Sequence, residues 1–124
     1  MPLPKEYEIL EDSSGEIQGT LTEEDGVAPI PGGTLTTLTL TLYADDAAQT
    51  IINGRNAQDI LNANGGTVNG AGVLTLTLAP ADNAILDTDL PYERHIALLQ
   101  WAWGVGKQGK FDLVLIVRNL SKVP

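Results

Sequence analysis

Cysteine is absent from this sequence, so neither a disulfide framework nor a thiolate metal site holds the fold, and the redox compartment is left open. Histidine occurs once, at His95. Structural zinc wants three or four nitrogen or sulfur ligands, which a single imidazole with carboxylates does not supply. A catalytic histidine needs an orienting acid and a nucleophile. Glu93 and Arg94 lie beside His95, but neighbours one or two apart on a strand are not expected to converge as a triad, and there is no conventional serine motif. No enzyme activity, catalytic residue, metal site or cofactor is therefore expected. The start, Met-Pro-Leu-Pro-Lys-Glu, has no apolar run of signal-peptide length, and no stretch approaches the roughly 20 apolar residues that cross a bilayer.

Basic residues are also few, 7 Lys and Arg against 16 Asp and Glu, for a formal charge of −9. The acids crowd the beginning. Residues 1–26 carry eight of them against Lys5 alone, a local charge of −7, and the remainder is nearly neutral. Such a chain repels phosphate backbones, and Lys107 with Lys110 is too small a patch for nucleic-acid binding. The acids serve solubility, or they meet a basic partner surface.

What the sequence has in plenty is alternation. Residues 37–43 read Thr-Leu-Thr-Leu-Thr-Leu-Tyr, and a period of two sends Leu38, Leu40 and Leu42 to one face of a strand and the threonines to the other. The pattern returns at Leu74, Leu76 and Leu78, so two strands offer leucine faces to a shared core. Residues 16–22 alternate as well, with Ile17, Gly19 and Leu21 on one side, and form the first strand of the domain proper. In 96–103, the longest apolar tract, Ala97, Leu99, Trp101 and Trp103 share one side and Ile96, Leu98, Gln100 and Ala102 the other, as in a central strand. A glycine-rich hairpin at 104–109 returns into Phe111, Leu113, Leu115 and Val117 facing in, with Val114 and Ile116 facing away. At 124 residues this makes one domain, an all-β antiparallel two-sheet sandwich.

Between the strands, Asn53-Gly54 marks a tight turn, and 49–52 suits a short partner strand. Residues 56–62 form the best helical candidate, with Asn56 as cap and Asn64-Gly65 as stop. The glycines of 65–72 read as a loop, and 79–84 as a single helical turn with proline in its first position. Residues 1–14, with two prolines and few large apolar groups, are expected to be an extended acidic arm outside a domain of 15–124. Removing it should leave the domain folded.

Two further groups of residues invite a ligand. Asp87-Thr88-Asp89 and Asp45-Asp46 offer oxygen ligands for calcium, and the Asp-x-Asp spacing of the first resembles the opening of a calcium loop, but the glycine and distal glutamate of that loop are absent, so turn formation is the simpler account. Trp101 and Trp103, or Tyr43 with Tyr92, would serve as a carbohydrate platform if exposed side by side, although the neighbouring Leu99 and Ala97 favour core packing for the tryptophans.

Several stretches carry a resemblance. The 37–43 strand, Ile-Ile-Asn-Gly-Arg-Asn-Ala-Gln-Asp-Ile-Leu-Asn-Ala-Asn-Gly at 51–65, Leu-Ala-Pro-Ala-Asp-Asn-Ala-Ile at 78–85, and Glu-Arg-His-Ile-Ala-Leu-Leu-Gln-Trp-Ala-Trp at 93–103 before its hairpin and Val-Arg-Asn-Leu resemble small virion proteins of tailed bacteriophages and prophages. The layout is also similar to the immunoglobulin-like domain that opens phage upper baseplate proteins. The resemblance implies an immunoglobulin-like sandwich, made in a bacterial cytoplasm and built into a virion as decoration, cement or adaptor. The chain departs from antibody domains in lacking both cysteines and a clear tyrosine corner. Implied partners are capsid, portal or neck, tail or baseplate subunits and further copies of the chain, with neither nucleic acid nor membrane. Contacts are expected at Leu3, Tyr7, Ile9 and Leu10 of the arm and at Lys107 and Lys110 of the hairpin. The alternative is a carbohydrate-binding module for the host surface.

Overall fold

The computed structural model describes residues 3–23, 27–86 and 89–119. Eight strands form in chain order: β1 (Glu6–Leu10), β2 (Gly15–Thr20), β3 (Leu35–Ala44), β4 (Gln58–Asp59), β5 (Gly66–Val68), β6 (Val73–Leu78), β7 (Tyr92–Trp103) and β8 (Lys107–Arg118). One sheet has the order β1-β8-β7-β3-β4 and the other β2-β6-β5. All pairings are antiparallel except β1 with β8. This is the immunoglobulin-like order. β2, β6 and β5 stand as strands B, E and D, β3, β7 and β8 as C, F and G, and β4 extends the second sheet as a short C′.

The alternating leucines close the sandwich as their spacing requires. Leu38, Leu40 and Leu42 of β3 face Leu74, Leu76 and Leu78 of β6, and none is more than 1% exposed. Ala97, Leu99, Trp101 and Trp103 of β7 and Leu113, Leu115 and Val117 of β8 complete the core. Burying each leucine contributes about 1.5–3 kcal/mol. Gly109, opposite Trp101 in the β7–β8 register, leaves room for the indole: a Cβ there would lie 2.6 Å from the ring.

The crossing from β6 to β7 is made by a 3₁₀ turn at Pro80–Asn83, where a single helical turn was expected. A buried ion pair holds it. Arg55 donates from Nε to Asp82 Oδ1 at 2.6 Å and from Nη2 to Oδ2 at 2.9 Å. The same carboxylate accepts from Asn53 Nδ2 at 2.9 Å and from the Ala79 N–H at 2.7 Å. Burial alone would raise the Asp82 carboxyl, but the Arg55, Asn53 and Ala79 donors outweigh it and hold the group below the usual carboxylate value. Arg55 Nη1 reaches Gln58 Oε1 at 2.9 Å and the Asn64 carbonyl at 3.0 Å, so the pair also pins the segment leading into β4.

Three expectations are corrected. Residues 56–62 are not helical: Ala57 and Asn62 have positive φ, Gln58 and Asp59 pair with β3, and the Ile60 N–H donates to the Leu38 carbonyl. The polar side chains satisfy local amides instead, Asp59 taking the Leu61 N–H at 3.0 Å and Asn62 the Val68 N–H at 3.0 Å. The glycine-rich 65–72 segment contains a strand, β5, which pairs with β6. The 49–52 strand reduces to one bridge, Tyr43 with Ile51.

The leader is the largest correction. Residues 6–10 are not a detached arm but strand β1 of the five-stranded sheet, running parallel to β8. Leu3 and Ile9 lie in the core. Two glycines of β2 make the seat: a Cβ on Gly15 would stand 2.3 Å from Ile9 Cδ1, and one on Gly19 2.5 Å from Leu3 Cα. Asn83 ties down the following turn, donating to the Ser13 carbonyl at 2.6 Å while its own carbonyl accepts the Asp12 N–H at 3.0 Å.

Candidate interaction surface

The five-stranded sheet has a second face, turned away from the core, and four of its strands meet there in register. Tyr43 of β3, Ile96 of β7, Val114 of β8 and Glu6 of β1 form one row. Thr41, Leu98 and Asp112 form the next towards the hairpin, and Arg94, Ile116 and Glu8 the next the other way. Ile96, Leu98, Val114, Ile116 and Tyr43 are all half-buried, and no strand of the described residues is layered over them. Beyond them come exposed Tyr92, Arg118 and Leu10. From two-residue rows and strand spacing, the patch measures about 20 Å by about 15 Å.

Charges frame this patch. Arg94 bonds Asp45 at 3.3 Å, and Arg118 bonds Glu8 across β8 and β1. Burial first, and then the nearby charges of Asp112 and Asp45, push the Tyr43 hydroxyl above its ordinary value. The tyrosine thus sits in a negative field. Nearer the hairpin the same face turns polar, where Thr37, Thr39, Gln100, Gln108 and Lys110 line a shallow cleft of about 490 Å³.

The partner-contact residues read from the sequence are not brought together. Leu3 and Ile9 are core residues, Tyr7 is half-buried, and only Leu10, 45% exposed, is open among the four. Lys107 and Lys110 are exposed on β8, with Lys107 4.0 Å from Glu23. Tyr7 pairs opposite Leu115, eight residues along β8 from Lys107, a separation of about 26 Å. Sequence reasoning placed these residues on an arm because Leu3, Tyr7 and Ile9 are too few to signal a strand, and the glycines that receive them are remote in sequence.

The tryptophan platform is withdrawn into the core, each ring being 6% exposed. Tyr43 and Tyr92 occupy one face but stand four residues out of register, about 13 Å apart along the strands. Their rings are not neighbours on the sheet.

His95 does meet an acid. Two residues apart on a strand means the same face, and Nε2 lies 2.5 Å from Glu93 Oε1. The imidazole is fully buried beside Ala44 and Leu115, and its Nδ1 has no hydrogen-bond partner among the described residues. The Glu93 carboxylate also accepts the Leu86 N–H at 3.0 Å. Among the described residues no group of three or more His, Cys, Asp or Glu is placed to hold a metal. Of the Asp87-Thr88-Asp89 motif, Asp87 and Thr88 lie outside the described residues.

No family model matches the chain, and no curated protein matches it in sequence. Among solved structures it is similar to murine CRIg, at 12% identity and a TM-score of 0.41, over 94% of this chain and 92% of that one. The immunoglobulin-like assignment is carried by the strand order itself.

Proposed function

We propose that this domain is a non-enzymatic virion building block of a tailed bacteriophage or prophage, binding neighbouring capsid, neck, tail or baseplate subunits through the outward face of its five-stranded sheet. The observation that carries the reading is the patch of Tyr43, Ile96, Leu98, Val114 and Ile116, apolar side chains in register on a face that no strand of the described residues covers. Its footprint of about 300 Å² matches the apolar centre of a contact whose whole side buries about 800 Å². The resemblance of the 37–43, 51–65, 78–85 and 93–103 stretches to phage virion proteins supplies the setting. In a particle, symmetry repeats each contact, so a modest affinity per copy suffices.

Mass spectrometry and imaging of particles purified from the source bacterium test this reading. The chain is expected in the particles at a fixed ratio to the major capsid or tail protein. Its recovery only from the particle-free lysate would overturn the proposal.

Carbohydrate binding is the second reading, favoured by the hydroxyl and amide groups around the Thr37, Thr39, Gln100 and Gln108 cleft. It ranks lower because both indoles are buried. Retention on a glycan array, abolished by Gln100→Ala, would promote it.

A further inference from the structure

The sheet that carries the patch ends at β1, and no strand of the described residues pairs with its outer edge. In a parallel pair, alternate residues of a strand direct both backbone groups to the neighbour. The Val114 N–H donates to the Lys5 carbonyl at 3.0 Å and the Glu11 N–H to the Arg118 carbonyl at 2.9 Å, so residues 5, 7, 9 and 11 face β8. Glu6, Glu8 and Leu10 therefore turn their amides and carbonyls outward. An edge of this kind is ordinarily blunted by charged side chains, proline or a bulge. β1 has neither proline nor bulge over its five residues, its register is unbroken from Glu6 to Leu10, and its only charges are the acids Glu6 and Glu8, which repel a like-charged strand and admit a basic one. The opposite edge of the sheet, β4, has two residues, too few to template a strand.

The side chains select what pairs there. Glu6 and Glu8 lie on the outward face, and Glu6 has no ion-pair partner among the described residues. Glu8 shares Arg118, both side chains being about half exposed at 58% and 44%. A second copy of this chain is a poor occupant. Antiparallel pairing of β1 with itself about Glu8 sets Glu8 against Glu8, and sliding by two residues, which keeps the faces matched, sets Glu6 against Glu8; like charges directly opposite destabilise a ladder. An extended segment with lysine or arginine on one face meets both acids and leaves its other face to continue the apolar inner side beside Ile9.

We propose that β1 receives one extended segment of a neighbouring protein as an added strand, and that this segment carries basic residues at alternate positions facing Glu6 and Glu8. The inference rests on the subunit-binding reading above and names the chemistry of its partner. Strand addition supplies backbone hydrogen bonds, and the alternate charges supply selectivity.

The test uses the full chain, isotope-labelled, titrated with the peptide Thr-Lys-Val-Lys-Val-Lys-Thr and with the same peptide bearing glutamate for lysine. The lysine peptide should shift the Glu6, Glu8 and Leu10 amides and slow their hydrogen exchange, leaving Tyr7 and Ile9, already bonded to β8, less affected. It should bind about fivefold more tightly than the glutamate peptide, and Glu6→Lys should erase that preference while leaving the Glu8–Arg118 pair intact. Shifts confined to β2 or to the Ile96 and Val114 face, equal binding of both peptides, or no response of the β1 amides at millimolar peptide would overturn it. If the β1 amides stay silent while the chain is still found in particles, strand addition fails and the subunit-binding reading stands.

Discussion

Away from the hairpin, β7 and β8 carry apolar side chains on both of their faces, but only one face packs against the second sheet. Inward, Leu99, Leu113, Leu115 and Val117 are at most 1% exposed, interlocked with the leucines of β3 and β6. Outward, Ile96, Leu98, Val114 and Ile116 come from the same strands with similar side chains, yet remain half-buried with no strand of the described residues layered above them. The inner residues are explained by folding. The outer ones, only half-buried, gain less from it. An apolar row at that position is the surface that the proposed subunit contact would use.

The contrast is most severely tested where the fold is most dependent on buried groups. Deleting residues 1–14 removes Leu3, Ile9 and the whole of β1, and should cost about 3–6 kcal/mol, enough to leave the domain partly unfolded in chemical denaturation. A truncated chain as stable as the parent would restore the detached arm. Arg55→Ala strands the fully buried Asp82 carboxylate, and a loss of about 3–5 kcal/mol is expected in the same experiment. Leu115→Ala, on the inner face, should cost about 2–5 kcal/mol, against no more than about 0.5–1 kcal/mol for Ile116→Thr next to it on the outer face. Equal losses at these adjacent positions would erase the distinction between the faces.

A smaller effect is read by pH. The Asp82 carboxyl is depressed in the folded protein, so the folded state binds fewer protons there than the unfolded chain. Its contribution is complete above the unfolded value of about 3.9 and disappears as pH falls through the lower folded value. The stability advantage of the parent over Asp82→Asn should be flat above about pH 5 and narrow on acidification below about pH 4. A gap that widens on acidification would contradict the assigned ion pair.

The sandwich was legible because period-two alternation is a direct image of a pleated strand buried on one side, and the residues of β3, β6, β7 and β8 kept to it. Val114 and Ile116 were even placed on the outward side. Their importance was not, since alternation says which residues share a face and not which face has a cover. Residues 56–62 misled because asparagine and aspartate satisfy backbone amides in turns as readily as they cap helices, and Ala57 and Asn62 take positive φ. The Arg55–Asp82 pair joins positions 27 apart, with no local signal beyond an arginine in a turn-rich stretch and an acid after proline. The leader failed for the complementary reason: its seat is the bare inner side of Gly15 and Gly19, which reads in sequence as weakness in β2 and proves to be room for Ile9 and Leu3.

Incorporation of an outer-face variant into particles addresses the central claim without an intermediary. Ile116→Lys, supplied in a host whose own copy is deleted, should unfold within a few degrees of the parent and yet be missing from purified particles, while Ile116→Val is retained. A folded Ile116→Lys chain present at full occupancy would contradict the account.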